Sequence, residues 1–113
     1  MKKEKIDQLG LYWMADDENP IIQFEIIKRM AQADLHKMIN NKDPGVRWMV
    51  VNRIDQAGLH KMIKDEDLDV RWEVAQRINQ AGLRKMMKDI NPYVRFEVTK
   101  RINKFPKSLI MVR

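Results

Sequence analysis

The sequence contains no cysteine, one serine (Ser108), one threonine (Thr99) and two histidines. Without cysteine the chain cannot form a disulfide or supply a thiolate ligand, and this composition fits the reducing cytoplasm, where we expect the protein to be located. The few hydroxyl and imidazole groups offer no nucleophile and base in combination, and the four glycines are too scattered to cradle a phosphate. We therefore expect a protein that is not an enzyme and holds no cofactor or metal.

Long hydrophobic runs are also missing. No apolar stretch approaches the roughly 20 residues that a helix needs to span a bilayer. Residues 1–7 are followed by no apolar segment of the kind that a secretory signal requires. The sequence therefore predicts a protein that neither enters a membrane nor is secreted.

Charge is abundant and of both signs. The chain has 22 lysines and arginines and 16 acidic residues, which leaves a net charge of +6. Such a balance favours an acidic partner, either an acidic protein or a nucleic acid, and does not choose between them.

A repeat with a period of about 24 residues, within the range typical of solenoids, organises the chain. An aliphatic, a basic and an aromatic residue stand together at 46–48, 70–72 and 94–96, with a degenerate copy at 22–24. A basic residue and then an apolar one follow at 29–30, 53–54, 77–78 and 101–102, and a Gln-Ala-x-Leu turn follows at 32–35, 56–59 and 80–83. Such a short unit cannot bury its apolar face alone, so neighbouring units must stack to form a core.

Each repeat is predicted to contain a longer and a shorter helix. The longer helix should begin after Asp43, a good N-cap, with Pro44 in its first turn, and should run to about Ile54. Residues at i, i+4 and i+8 form its buried face; they are Val46, Val50, Ile54, Val70, Val74, Ile78, Val94, Val98 and Ile102. The shorter helix, which includes Leu59 and Met62, should have only a turn or two.

These patterns predict an all-α fold, an α-solenoid of about four to five two-helix repeats in one domain over residues 1–113. The repeats should lie at about 19–42, 43–66, 67–90 and 91–113, after a partial repeat and cap at 1–18. Apolar residues at both ends are predicted to belong to end segments, or alternatively to faces that dimerise; they are Tyr12, Trp13, Phe105 and residues 109–112.

The pattern Asp-Pro-x-Val-Arg-x-x-Val-x-x-Arg-Ile, followed by a short Leu-x-x-Met helix, resembles the leucine-rich repeat variant (LRV) family, a relative of HEAT repeats. The best copies are residues 43–66, 67–90 and 91–102. The resemblance implies a right-handed superhelix of alternating longer and shorter helices. It does not carry over the cysteine-ligated iron–sulfur segment of some members, because this chain has no cysteine, and a fold does not by itself imply a function.

Several polar columns of the repeat have structural interpretations. Arginines near the start and at the end of the longer helix should pair with an aspartate of a neighbouring turn or with helix C-terminal carbonyls, or alternatively face a ligand; they are Arg47, Arg71 and Arg95, and Arg29, Arg53, Arg77 and Arg101. His36 and His60 should be solvated surface residues, since no third metal ligand recurs with them. The acidic residues at 16–17 and 65–67 should cap helices.

Two columns are candidates for binding a partner. The basic column runs along the shorter helices and contains His36, Lys37, His60, Lys61, Arg84 and Lys85. The aromatic column lies on the longer helices, away from the centre of the buried face, with amides beside the tryptophans; it contains Phe24, Trp48, Trp72 and Phe96, with Asn52 and Gln76. Aromatic side chains anchor protein interfaces and stack on bases, although each ring could instead wedge against the next repeat.

Two functions therefore remain open. The first is a protein-interaction module whose aromatic column carries the binding energy. The second is a nucleic-acid-binding protein that uses the basic column, with or without the aromatic rings.

Overall fold

The computed structural model describes residues 19–102, and every regular element in that range is an α-helix. The longer helices are α1 (Pro20–Lys28), α3 (Pro44–Val51), α5 (Leu68–Arg77) and α7 (Pro92–Ile102). The shorter helices, of six residues each, are α2 (Gln32–Lys37), α4 (Gln56–Lys61) and α6 (Gln80–Lys85). The predicted all-α class is confirmed for these residues, and the starts of successive longer helices are equally spaced along the chain.

Asp43 and Asp67 are confirmed as N-caps, and Asn19 and Asn91 cap the other two longer helices in the same way. In each case an Asn or Asp oxygen accepts a hydrogen bond from the backbone N–H two residues on, which satisfies a donor that the helix leaves open. The four pairs are Asn19 with Ile21, Asp43 with Gly45, Asp67 with Asp69 and Asn91 with Tyr93, at 2.8–2.9 Å.

Helix α3 ends at Val51, three residues before the predicted end at Ile54. At this end the Asn52 side chain bonds back to the helix, because its Nδ2 donates to the carbonyl oxygen of Trp48 at 2.9 Å. The backbone N–H of Asn52 instead bonds Met49 at 3.2 Å, which tightens the last turn. Asparagine side chains compete with the helical backbone in this way.

The chain divides after Gly58 into two compact units. In the first unit α1 packs against α3, and in the second unit α7 packs against both α5 and α6. The valines and isoleucines of the predicted buried face are confirmed as buried, except Ile102, which is half-buried. Ile22, the degenerate counterpart of Val46, is 39% exposed.

Gly58 and Gly82 permit a close approach between an isoleucine and the start of a shorter helix. A Cβ at Gly58 would lie 2.3 Å from both Cγ1 and Cδ1 of Ile54, and one at Gly82 would lie 2.2 Å from Cδ1 of Ile78. Since van der Waals contact between carbons needs about 3.5–4.0 Å, only glycine fits at these positions.

Several sequence predictions concern residues outside the described range. They include the partial repeat and cap at 1–18, the acidic pair at 16–17, and the apolar end residues Tyr12, Trp13, Phe105 and 109–112. Within residues 19–102 no helix is long and apolar enough to cross a bilayer.

Candidate partner-binding surfaces

The arginines at the end of the longer helices have structural roles. Arg53 Nη1 donates to the carbonyl oxygens of Ile27 and Met30, both at 2.9 Å. In the second unit, Arg101 Nη1 makes the same pair of bonds to Ala75 and Ile78, at 3.0 and 2.6 Å. Each arginine thus satisfies carbonyls where an earlier longer helix ends, as the sequence predicted.

The arginines near the start of the longer helices also bond to carbonyl or carboxylate oxygens of the protein. Arg71 is 8% exposed and forms a buried ion pair with Asp89, in which Nε lies 2.9 Å from Oδ2, while its Nη1 donates to the carbonyl of Asp65 at 2.7 Å. Arg47 is buried and donates to the carbonyl of Asn41, and Arg95 donates to that of Asp89, both at 2.6 Å. The structural interpretation is confirmed for these arginines.

Each histidine makes a side-chain hydrogen bond that the sequence did not predict. His36 Nε2 donates to Asp55 at 2.8 Å, and the same carboxylate oxygen accepts from the backbone N–H of Gly58 inside α4. His60 likewise donates to Asn79 at 3.0 Å, and Asn79 caps α6. Both rings are half-buried. Each ring bonds the residue that caps the following shorter helix and so helps to orient that cap.

The aromatic column is partly exposed throughout the described chain. Exposed fractions are 46% for Phe24, 41% for Trp48, 39% for Trp72 and 67% for Phe96. Rings wedged fully between repeats would be covered, as the neighbouring valines are. The exposure therefore favours the interpretation in which these rings are available to a partner.

Phe24 and Trp48 line one shallow groove on the first unit. The groove has a volume of about 310 Å³, and the two rings share it with Ile27, Lys28, Met49, Asn52 and Arg53. Two sequence candidates of the aromatic column, together with Asn52, thus face one concave surface. Lys28 and Met49 were not predicted, whereas a ligand-facing role for Arg53 had been left as an alternative. The signal for Lys28 was its position four residues after Phe24, which matches Asn52 after Trp48.

Four residues after each phenylalanine of the aromatic column stands a lysine, whereas four residues after each tryptophan stands an asparagine or a glutamine. Lys28 Nζ lies 5.4 Å from the centre of the Phe24 ring, and Lys100 Nζ lies 5.7 Å from that of Phe96, within cation–π range. Gln76 differs from Asn52, because it is half-buried and its Nε2 is buried with no hydrogen-bond partner in the described chain. Gln76 therefore does not present an exposed amide beside Trp72, in contrast to Asn52 beside Trp48.

Residues of the basic column line a cleft on the second unit. The cleft has a volume of about 500 Å³ and is lined by His60, Lys61, Ile63, Lys64 and Lys85. Lys64 was not among the predicted residues, although it follows Lys61 by three positions on the same edge. Arg84 is exposed, and in the first unit exposed Lys37 lies 3.4 Å from the buried carboxylate of Asp34, so part of its charge is compensated.

No group of three or more histidine or acidic side chains within residues 19–102 could hold a metal ion. The chain matches no known protein family, no curated protein and no solved structure.

Proposed function

We propose that this chain is a non-enzymatic module that binds another protein through the aromatic column. The observation that carries the proposal is the groove of Phe24 and Trp48. Large apolar rings that stay about two-fifths exposed beside a concave, mostly apolar surface have the composition of an interface centre.

The proposed scaffold is a right-handed α-solenoid that resembles the LRV family. Two features support it: the longer helices begin at equal intervals along the chain, and Arg53 and Arg101 make the same pair of bonds to an earlier longer helix. A solenoid would present one side chain of the aromatic column per repeat, and such extended surfaces are what repeat proteins use to bind partners.

The proposal is tested by affinity capture with the full chain as bait, with nuclease and without. Trp48→Ala combined with Trp72→Ala should lose the captured protein, because the rings supply most of the contact energy. Tyr93→Ala is the matched control, since Tyr93 is an aromatic residue that is 72% exposed but lies outside the aromatic column. Capture that survives the double tryptophan substitution would contradict the proposal.

Nucleic-acid binding is a second candidate function, favoured by the cleft that Lys61, Lys64 and Lys85 line. Three lysines at one concave edge suit a phosphate backbone, and binding of this type weakens steeply with salt. Replacing Lys37, Lys61 and Lys85 by glutamate should then nearly abolish binding to a DNA or RNA oligonucleotide. Submicromolar binding that disappears with added salt and needs the lysines alone would favour this function over the first.

A further inference from the structure

The groove on the first unit has a size suited to side chains. Its volume of about 310 Å³ lies at the lower end of the roughly 300–1,000 Å³ that small-molecule pockets span. Phe24, Ile27, Trp48 and Met49 make its walls largely apolar. One or two apolar side chains of a partner would fill it, and burial of their surface would supply the binding energy.

The described residues that line the groove include two cationic side chains, Lys28 and Arg53, and no acidic one. Glu25 lies 3.6 Å from Lys28 Nζ, so part of the charge of this lysine is compensated. Arg53 commits only its Nη1 to the carbonyls of Ile27 and Met30, and the three other donors of a guanidinium suit the two oxygens of a carboxylate. An occupant with a carboxylate beside its apolar side chain therefore complements the groove better than a neutral or cationic one.

Asn52 adds a group that can accept a hydrogen bond from the backbone of a bound peptide. Its Nδ2 donates to the carbonyl of Trp48 at 2.9 Å, which fixes the orientation of the amide. The Oδ1 of this exposed side chain is then presented as an acceptor, and the N–H of an extended peptide is a matching donor. Apolar walls, a cationic rim and a fixed amide acceptor are together what a peptide segment requires.

We propose that the groove of Phe24 and Trp48 binds an extended peptide segment that inserts an apolar side chain and places a flanking carboxylate beside Arg53 and Lys28. This inference rests on the proposed protein-binding function and specifies the chemistry of the partner. The apolar side chain supplies affinity, and the carboxylate determines which sequences bind.

The test titrates three capped hexapeptides into the full-length ¹⁵N-labelled protein. The sequences are Ser-Asp-Leu-Phe-Asp-Ser, Ser-Lys-Leu-Phe-Lys-Ser and Ser-Asp-Ser-Ser-Asp-Ser. The readout is the indole N–H signal of Trp48, assigned by its loss in Trp48→Phe. The first peptide should shift this signal saturably with a Kd at least about tenfold lower than the second, and the third should give no saturable shift.

The Lys28→Glu variant tests the charge preference, and Lys100→Glu is its matched control. Lys28 and Lys100 each lie over a phenylalanine and pair with a glutamate of the same helix, at 3.6 and 3.3 Å, but only Lys28 lines the groove. Lys28→Glu should remove most of the preference for the acidic peptide, and Lys100→Glu should leave it unchanged. Circular-dichroism melts verify that both variants fold.

Equal binding of the acidic and lysine peptides, or binding of neither, would overturn the inference. Shifts of the groove signals on dilution of the protein alone would assign the groove to a second copy of the chain and would also overturn it. The proposed function is judged separately by tryptophan-dependent capture. If capture persists while no peptide binds, the inference is wrong and the proposed function stands.

Discussion

The Nη1 atom of Arg53 lies 2.9 Å from the carbonyl oxygen of Ile27, in the last turn of α1. The two residues are far apart in the chain, and the bond links the ends of two longer helices. The same nitrogen also donates a hydrogen bond to the carbonyl oxygen of Met30. One side chain therefore satisfies two carbonyls that would otherwise remain open where the helix ends.

Replacing Arg53 by methionine, which keeps much of the length but no donor, should lower the free energy of unfolding by about 1–3 kcal/mol. Arg84 is the control, since it is an exposed arginine on the shorter helix α6. Arg84→Met should change stability by no more than about 0.5 kcal/mol. Urea denaturation measures both; equal losses would contradict the structural role of Arg53.

Gly58→Ala should destabilise the protein by about 1–3 kcal/mol through overpacking, although alanine ordinarily favours a helix interior by up to about 1 kcal/mol over glycine. The new Cβ would lie 2.3 Å from Cδ1 of Ile54. In an Ile54→Ala background Cγ1 and Cδ1 are gone and only the Cβ at position 54, 3.3 Å away, remains close, so the same substitution should cost much less than in the native chain. A double-mutant cycle by chemical denaturation checks this coupling, and additive effects would contradict the close approach.

Trp48→Ala should cost well under about 3 kcal/mol, because the ring is 41% exposed, whereas fully buried tryptophans cost about 3–5 kcal/mol on truncation. Leu35→Ala is the comparison, since Leu35 is fully buried in the same unit, and it should cost about 2–5 kcal/mol. Guanidinium denaturation of the two variants shows which substitution lowers the free energy of unfolding more. A larger loss for Trp48 would mean that the ring supports the core more than it serves a partner.

Deleting residues 47–70 tests the proposed solenoid. The deletion removes one whole period and joins position 46 to position 71 in the same register, so a soluble helical protein should remain. Deleting residues 47–58 instead removes a longer helix without its partner and should abolish folding. Equal circular-dichroism melts for the two deletions would argue against the solenoid.

The sequence predicted the features that depend on local geometry. Asp43 and Asp67 could be assigned as N-caps because an N-cap bonds the N–H groups two or three residues ahead. Val46 and Val50 could be assigned to the core because residues four apart share a helix face. The same geometry placed Trp48 away from the centre of that face, but it left open whether the ring is exposed or wedged against the next repeat.

Features that depend on packing between helices were missed or left open. The bond from His36 to Asp55 spans 19 residues, and no local rule brings those two side chains together. The end of α3 was misplaced because the spacing of apolar residues does not show where the backbone changes to the tighter bonds of the last turn, such as that from Asn52 N–H to Met49. For Arg53 the sequence left a structural and a ligand-facing role open, because its bonds to Ile27 and Met30 and its place in the groove both depend on tertiary packing.

The two histidine contacts have a consequence for how the shorter helices open. A helix of six residues is far below the length of about 12–15 residues at which an isolated helix becomes marginally stable. In the first unit α2 supplies the His36 ring that orients Asp55, which in turn holds the Gly58 N–H of α4. Local fraying of α2 should therefore spread to the first turn of α4. Hydrogen exchange at Gly58 would then report the opening of a helix that begins one full repeat earlier in the chain.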